Sequence, residues 1–160
     1  MHIPDFRDKK LALQKMEELE KQGVIFIDKE NTYIEQDVEI GAGTIIYPTV
    51  FVYHGSTIGE ECVLFPGARI FQSVLANLVI VHDARIVRSR ILNETEVDMG
   101  SLIKDSTVGG KCKIGPNAYI RDNTIIGDEC EIGITEVTRS TIGAHTKAKH
   151  GRYIGDGEIG

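Results

Sequence analysis

The sequence predicts an all-β protein, a parallel β-helix built from hexapeptide repeats and preceded by one helix. Three observations predict it. Aliphatic residues recur every six positions, at Ile34, Ile40, Ile46, Val52, Ile58, Leu64 and Ile70, and again at Val108, Ile114, Ile120, Ile126 and Ile132. The residue four places further on is small almost throughout: Val38, Thr44, Val50, Ser56, Cys62 and Ala68, then Cys112, Ala118, Thr124 and Cys130. Glycine often follows the aliphatic directly, as in Ile40-Gly41, Ile58-Gly59, Ile114-Gly115 and Ile126-Gly127. A period of six is the mark of a β-helix, in which three hexads close one triangular coil and each coil stacks on the last. The small slot fits a corner with little room, and glycine relieves the turn between short strands.

The register slips in the middle without ending. Val74, Ile80 and Ile86 form one set, and Ile91, Val97 and Ile103 another, with Thr95, Ser101 and Thr107 in their small slots. Residues 71–107 therefore continue the same solenoid with shortened sides. After Ile132 the series runs through Val137, Ile142, Ala148 and Ile154. Arg152 and Glu158 occupy the slots there, a departure from pure packing, and such departures concentrate at functional sites.

Residues 5–22 read as a helix, with Asp5 as its cap, Asp8 in the first turn and Gly23 as its stop. Leu13, Met16 and Leu19 mark one apolar seam. Val24-Ile25-Phe26-Ile27 reads as a short buried strand entering the first coil. The organisation expected is a helical arm over residues 1–23 and a β-helix domain over 24–160. The arm is expected to cover the open backbone edge of the first coil. The sequence closes at Gly160 in mid-repeat, where the edge is expected to be covered by oligomerisation or to run on into further coils.

Composition narrows the function. Eighteen Lys and Arg against 24 Asp and Glu give a net charge of −6. No basic cluster suits nucleic acid or an anionic membrane. No apolar run approaches a membrane span and the first residues lack a signal peptide's apolar core, so a cytoplasmic location is expected. Cys62, Cys112 and Cys130 all fall in the small slot, where they are expected to be small, buried and unreactive, neither bridged nor metal-bound.

The stretch His145-Thr146-Lys147-Ala148-Lys149-His150-Gly151-Arg152-Tyr153 gathers basic and ring side chains in an acidic chain. It suggests an anion site. Lys147 to Gly160 resembles the catalytic stretch of the acetyltransferase half of the bifunctional N-acetylglucosamine-1-phosphate uridyltransferase / glucosamine-1-phosphate acetyltransferases. The shared residues are His150, Tyr153 and Gly155-Asp156-Gly157-Glu158-Ile159-Gly160. Ile114-Gly115-Pro116-Asn117-Ala118-Tyr119-Ile120-Arg121 resembles the same family, as do Gly23-Val24-Ile25-Phe26-Ile27-Asp28 and Val38-Glu39-Ile40-Gly41. The resemblance implies a left-handed β-helix, a homotrimer with active sites between subunits, and acetyl-CoA as co-substrate with no metal. It implies His150 as general base, and Arg121 and Tyr153 on the phosphate of a sugar phosphate. Where the family carries a phosphate-binding Lys, this sequence has Thr138 followed by Arg139, so Arg139 is the substitute. The family's further coils and its uridyltransferase domain lie outside these 160 residues, and with them most of the acetyl-CoA site.

Two other readings stay open. One is a non-catalytic trimerisation or regulatory β-helix. The other is a metal site like that of γ-class carbonic anhydrases, since His145 and His150 are five residues apart, although Gly109 and Gly110 fall where a third ligand is required. Arg85, Arg88 and Arg90 form either a second anion patch or solvated corners.

Overall fold

The computed structural model of the chain describes residues 2–160. Its strands are two to four residues long and fall into three parallel sheets of eight strands each, which form the faces of a triangular solenoid. Face 1 runs from Ile25–Phe26 to Lys147–Ala148, face 2 from Tyr33–Ile34 to Arg152–Gly155, and face 3 from Glu39–Ile40 to Glu158–Ile159. Each strand pairs with the one a full coil away. Val52 lies opposite Ile70, Ile70 opposite Ile86, and Ile86 opposite Ile103. The first of these coils takes eighteen residues, the second sixteen and the third seventeen, so the middle segment is the same helix with tighter corners.

Inward positions carry the stability. On face 2, Ile34, Val52, Ile70, Ile86, Ile103, Ile120 and Val137 stack as a buried column. Fully burying such a side chain contributes about 1.5–3 kcal/mol. The slipped segment corrects part of the expected core. Val74 faces solvent and Ile80 is half-buried, while Leu75 and Val81 point inward. Side chains alternate along a strand, so one residue lost at a corner moves the apolar role to the next position. Thr107 likewise sits on a strand, and the corner slot belongs to Ser106.

The small slots are more than steric. At the corner between faces 2 and 3, Ser56, Ser73, Ser89, Ser106, Thr124 and Ser140 form a buried column. Each hydroxyl accepts the backbone N–H of the corner residue one coil on: Ser89 N to Ser73 Oγ at 3.0 Å, Ser106 N to Ser89 Oγ at 3.1 Å, Thr124 N to Ser106 Oγ at 3.2 Å. From Ser73 onward each also donates to a carbonyl in its own coil. The corner between faces 3 and 1 uses Thr44 and Thr95 in the same way, accepting from the N–H groups of Cys62 and Cys112 at 3.0 Å. The three cysteine thiols are free and buried there, directed at carbonyls of the next coil at 3.1 Å.

Gly115 takes the left-handed conformation expected of a turn, but other glycines of this slot do not. At Gly59 no left-handed turn is needed. A Cβ there would sit 2.5 Å from the Ala76 carbonyl oxygen, so close approach of the next coil excludes a side chain. The left-handed corner positions are mostly other residues, such as Glu61, Glu94, Lys111 and Glu129.

The helix spans Lys9–Lys21, and its cap is Asp8, not Asp5. The Asp8 carboxylate accepts from the N–H groups of Lys10 and Leu11. Asp5 opens a separate 3₁₀ turn, Asp5–Arg7, and its carboxylate accepts from Gln36 N. Met16 and Leu19 join the core as expected, together with Ala12, but Leu13 is 42% exposed. Val24 is buried, whereas Ile25 and Ile27 point outward at 47% and 55% exposure, so this segment alternates and is not a fully buried strand. Glu35 ties the entry together. Its buried carboxylate accepts from His54 N at 2.7 Å and Asp5 N at 3.0 Å, and contacts His2 Nε2 at 2.7 Å. Burial pushes this carboxyl up, but the contacts from His2, His54 and Asp5 outweigh it and hold it below the ordinary range.

Two outcomes follow. Ser106→Ala leaves the buried Thr124 N–H without an acceptor and is expected to cost about 1–3 kcal/mol in urea unfolding. Glu35 has a folded pKa below its unfolded one, so its contribution is complete above the unfolded value and disappears as pH falls through the lowered folded value. Stability measured by thermal unfolding should therefore drop on acidification below the usual carboxylate range, and Glu35→Gln should flatten that drop while lowering stability at neutral pH.

Candidate active site

The last three strands of face 2, Tyr119–Arg121, Thr135–Thr138 and Arg152–Gly155, set the geometry. Their register places Tyr119, Glu136 and Tyr153 in one row and Arg121, Thr138 and Gly155 in the next. Ile120 and Val137 between them are buried, and Ile154 packs against the core. Alternation therefore turns Tyr119, Arg121, Glu136 and Tyr153 away from the core because the aliphatics must turn inward, while Thr138 in the same outward row is covered by its neighbours.

Arg121 is firmly held. Its Nε and Nη2 donate to Glu136 Oε2 at 3.0 and 2.8 Å, and Nη1 donates to the Asp122 carboxylate. The guanidinium also lies 5.3 Å from the centre of the Tyr119 ring. These carboxylates, Glu136 foremost, favour its charged form still further. Three of the five N–H donors are engaged, which fixes the plane of the group and leaves two for a ligand. Tyr153 is 61% exposed on the same face, one strand beyond Glu136. Its ring folds over Gly155, where a Cβ would meet the ring carbons and hydroxyl at 2.7–2.9 Å.

Arg139 lies off this face, at the corner that follows it. Its Nε and Nη2 donate to the two oxygens of Asp156, the latter at 2.9 Å. That pair raises the guanidinium pKa and lowers the Asp156 carboxyl below its usual range. Thr138, in the position where a Lys would matter, is buried with its hydroxyl 3.2 Å from Asp122. His150 sits at the opposite corner, where face 1 turns into face 2. It is exposed beside a cavity of about 350 Å³ lined also by Lys113, Pro116, Glu131, Ile134 and Lys149. Face 2 thus carries Arg121 and Tyr153, with His150 at its leading corner and Arg139 at its trailing one.

The basic stretch resolves into pairs. His145 Nδ1 lies 2.9 Å from Glu129, and Lys147 and Lys149 both reach Glu131 at 3.3 Å. Lys149 first, then Lys147, lowers the Glu131 carboxyl below its usual range. Of the stretch, His150 and Arg152 are in no ion pair among the described residues. The metal reading finds no ligand set: His145 faces Glu129, His82 binds Glu96 and stacks on Phe65, and among the described residues no group of three or more His, Cys, Asp and Glu converges. Glu136 and Asp122 were missed in the sequence. The hexad count contained the signal for Glu136, because pairing Ile120 with Val137 makes it the neighbour of Tyr119.

Fold and site together define a hexapeptide-repeat, left-handed β-helix. The chain belongs to the family described as the GMPPB C-terminal domain, whose family model matches residues 50–150. It is 45% identical over 139 residues to the bifunctional protein GlmU of Clostridium botulinum, covering 86% of this chain and 27% of that protein. It is 40% identical over 141 residues to the GlmU of Clostridium kluyveri, covering 88% and 27%. The chain thus spans 27% of the length of these curated relatives. Among solved structures it is similar to an Arabidopsis UDP-N-acetylglucosamine acyltransferase, at 17% identity and a TM-score of 0.46, covering 77% of this chain and 65% of that one. No helix among the described residues is long and apolar enough to cross a membrane.

The thiols are unsuited to nucleophilic catalysis. Burial pushes Cys112 up to about 11 and raises Cys62 as well, and the thiolate is the reactive form. A disulfide-exchange reagent at neutral pH should leave the native protein unmodified and titrate three thiols after denaturation.

Proposed function

We propose that this chain is the acyl-transfer part of an amino-sugar-phosphate N-acetyltransferase. It moves an acetyl group from acetyl-CoA to the amine of glucosamine 1-phosphate, on the route to UDP-N-acetylglucosamine. It works in the cytoplasm as a homotrimer, with residues 24–160 as the transferring domain and residues 1–23 as its arm. The observation that carries this reading is the placement of Arg121 and Tyr153 on one face with His150 at its leading corner. The relationship to the bifunctional protein GlmU supports it.

Each residue has a role set by its chemistry. Arg121 offers its two remaining N–H donors to the phosphate, and Tyr153 adds a hydroxyl from the neighbouring strand. Glu136 and Asp122 keep the guanidinium oriented so that little freedom is lost on binding. Arg139 contributes positive charge from the trailing corner. His150 takes the proton from the attacking nitrogen as the new N–C bond forms and the C–S bond breaks. That proton passes to the departing thiolate, which leaves as free CoA.

One observation favours a non-catalytic trimerisation or regulatory module instead. Thr138 is buried on Asp122 and Arg139 is closed on Asp156, so the phosphate side has less free positive charge than a Lys would supply.

A thiol-release assay with glucosamine 1-phosphate and acetyl-CoA separates the two. The expected result is turnover that falls by about 10²–10⁴ in His150→Ala. Arg121→Gln should raise KM for the sugar phosphate at least tenfold while the circular dichroism spectrum stays unchanged. Turnover unaffected by His150→Ala, or none at all from the folded protein, would favour the binding module.

A further inference from the structure

The three arginines of the segment Arg85–Arg90 do not form one patch. Arg85 lies on face 2, Arg88 at the following corner, and Arg90 on face 3. Arg88 is bidentate to Asp105, with Nε at 2.7 Å and Nη2 at 3.1 Å. Arg85 instead meets a residue from the preceding coil. It stands directly opposite Arg69 in the parallel register of face 2.

Two guanidiniums on adjacent strands, about 5 Å apart at the backbone, repel one another. Neither is in an ion pair among the described residues, although Arg88, Arg121 and Arg139 each hold a carboxylate. Both are nevertheless held in place. Arg69 lies 4.6 Å over the Phe51 ring and Arg85 5.7 Å from the centre of the Phe71 ring. Those rings are themselves stacked, Phe51 on Tyr33 at 4.3 Å and Phe71 on Tyr53 at 4.0 Å. A guanidinium stacked on an aromatic face keeps its N–H fork free and fixes its plane. Lys104, paired with Val87 on the next strand of this face, adds a third cation. In a chain of net charge −6, a like-charged pair set on an aromatic base, with no carboxylate partner among the described residues, has the chemistry to take an oxyanion.

We infer that Arg69 and Arg85, seated on Phe51 and Phe71, form a second anion site on face 2 that takes a phosphate or diphosphate group. It is distinct from the Arg121–Tyr153 cluster. Leu102 lies between Arg85 and Tyr119 in the same row, so two strand spacings, about 10 Å, separate them. The bidentate forks favour a tetrahedral oxyanion over a single carboxylate, and Lys104, one strand from Arg121 on the same face, extends the site from the Arg69–Arg85 pair toward a second phosphate.

The test is isothermal titration of inorganic pyrophosphate, and separately inorganic phosphate, into the whole chain in its native oligomeric state. It is run near physiological salt, where diffuse surface attraction is screened. An Arg121→Gln background removes the grip of the proposed active site, so the two sites are read apart. One saturable site should remain, tighter for pyrophosphate than for phosphate. It should weaken at least tenfold in Arg69→Gln or Arg85→Gln and severalfold in Arg85→Lys, which keeps the charge and the fold but loses the fork. Arg90→Gln, on face 3, should leave it unchanged. Three outcomes overturn the inference: no saturable binding, an equal loss in Arg90→Gln, or an Arg85→Gln protein that changes oligomeric state without any loss of pyrophosphate affinity.

Discussion

The constraint on which everything else rests is the parallel register between one coil and the next. Each backbone N–H and C=O of a strand is satisfied only by the strand a full coil away, so the chain must return to the same height every sixteen to twenty residues. Inward positions then stack on inward positions, and only aliphatics of similar volume fill the column without voids. Corners stack as well. There the backbone N–H groups cannot join a sheet, and the buried hydroxyls of Ser73, Ser89, Ser106 and Thr124 accept them instead. A cysteine in a corner slot performs a weaker version of the same task, as where Cys130 N approaches Cys112 Sγ at 3.4 Å. No buried side-chain polar atom among the described residues lacks a partner. The small slot is thus a hydrogen-bonding position that also happens to be narrow.

The same register governs the charges. An outward side chain has as its nearest neighbour not the next residue in sequence but one a coil away. Arg88 finds Asp105, Arg121 finds Glu136, Arg139 finds Asp156, and His145 finds Glu129. Taken singly, such exposed pairs contribute little to stability. Their larger effect is on orientation, because each pair pins a long side chain that would otherwise sample many rotamers. Arg121 illustrates this best: Glu136 and Asp122 approach its guanidinium from two sides, and Tyr119 lies against its face.

That register explains what the sequence made legible and what it concealed. The period of six was sufficient for the β-helix, the continuity through residues 71–107, and the burial of all three cysteines. Within the slipped segment it misplaced Val74 and Ile80 by one residue, since a shortened corner shifts the alternation without leaving a mark in composition. It placed the helix cap three residues early. Asp5 and Asp8 are equivalent as local signals, and only the tertiary contact of Asp5 with Gln36 decides between them. The basic stretch 145–153 read as a free cationic patch because its acidic partners, Glu129 and Glu131, lie a coil earlier. Side-chain identity was visible locally, whereas side-chain pairing required the coil length at each step.

The proposed site draws on both properties of this architecture. Chemistry on a phosphorylated amine needs a rigid grip at one end and an unencumbered base at the other. The strands of face 2 supply the grip, since Arg121 is braced by groups from its own coil and the next. In the proposed reading the corner supplies the base. His150 holds no ion pair among the described residues, and its neighbour Gly151 is so open that a Cβ there would meet nothing within 4 Å. A residue on a strand would be committed to stacking against its coil neighbours, as Glu136 is against Tyr119 and Tyr153. A residue at an uncrowded corner has no such commitment, so its imidazole remains available to a proton that arrives with the substrate.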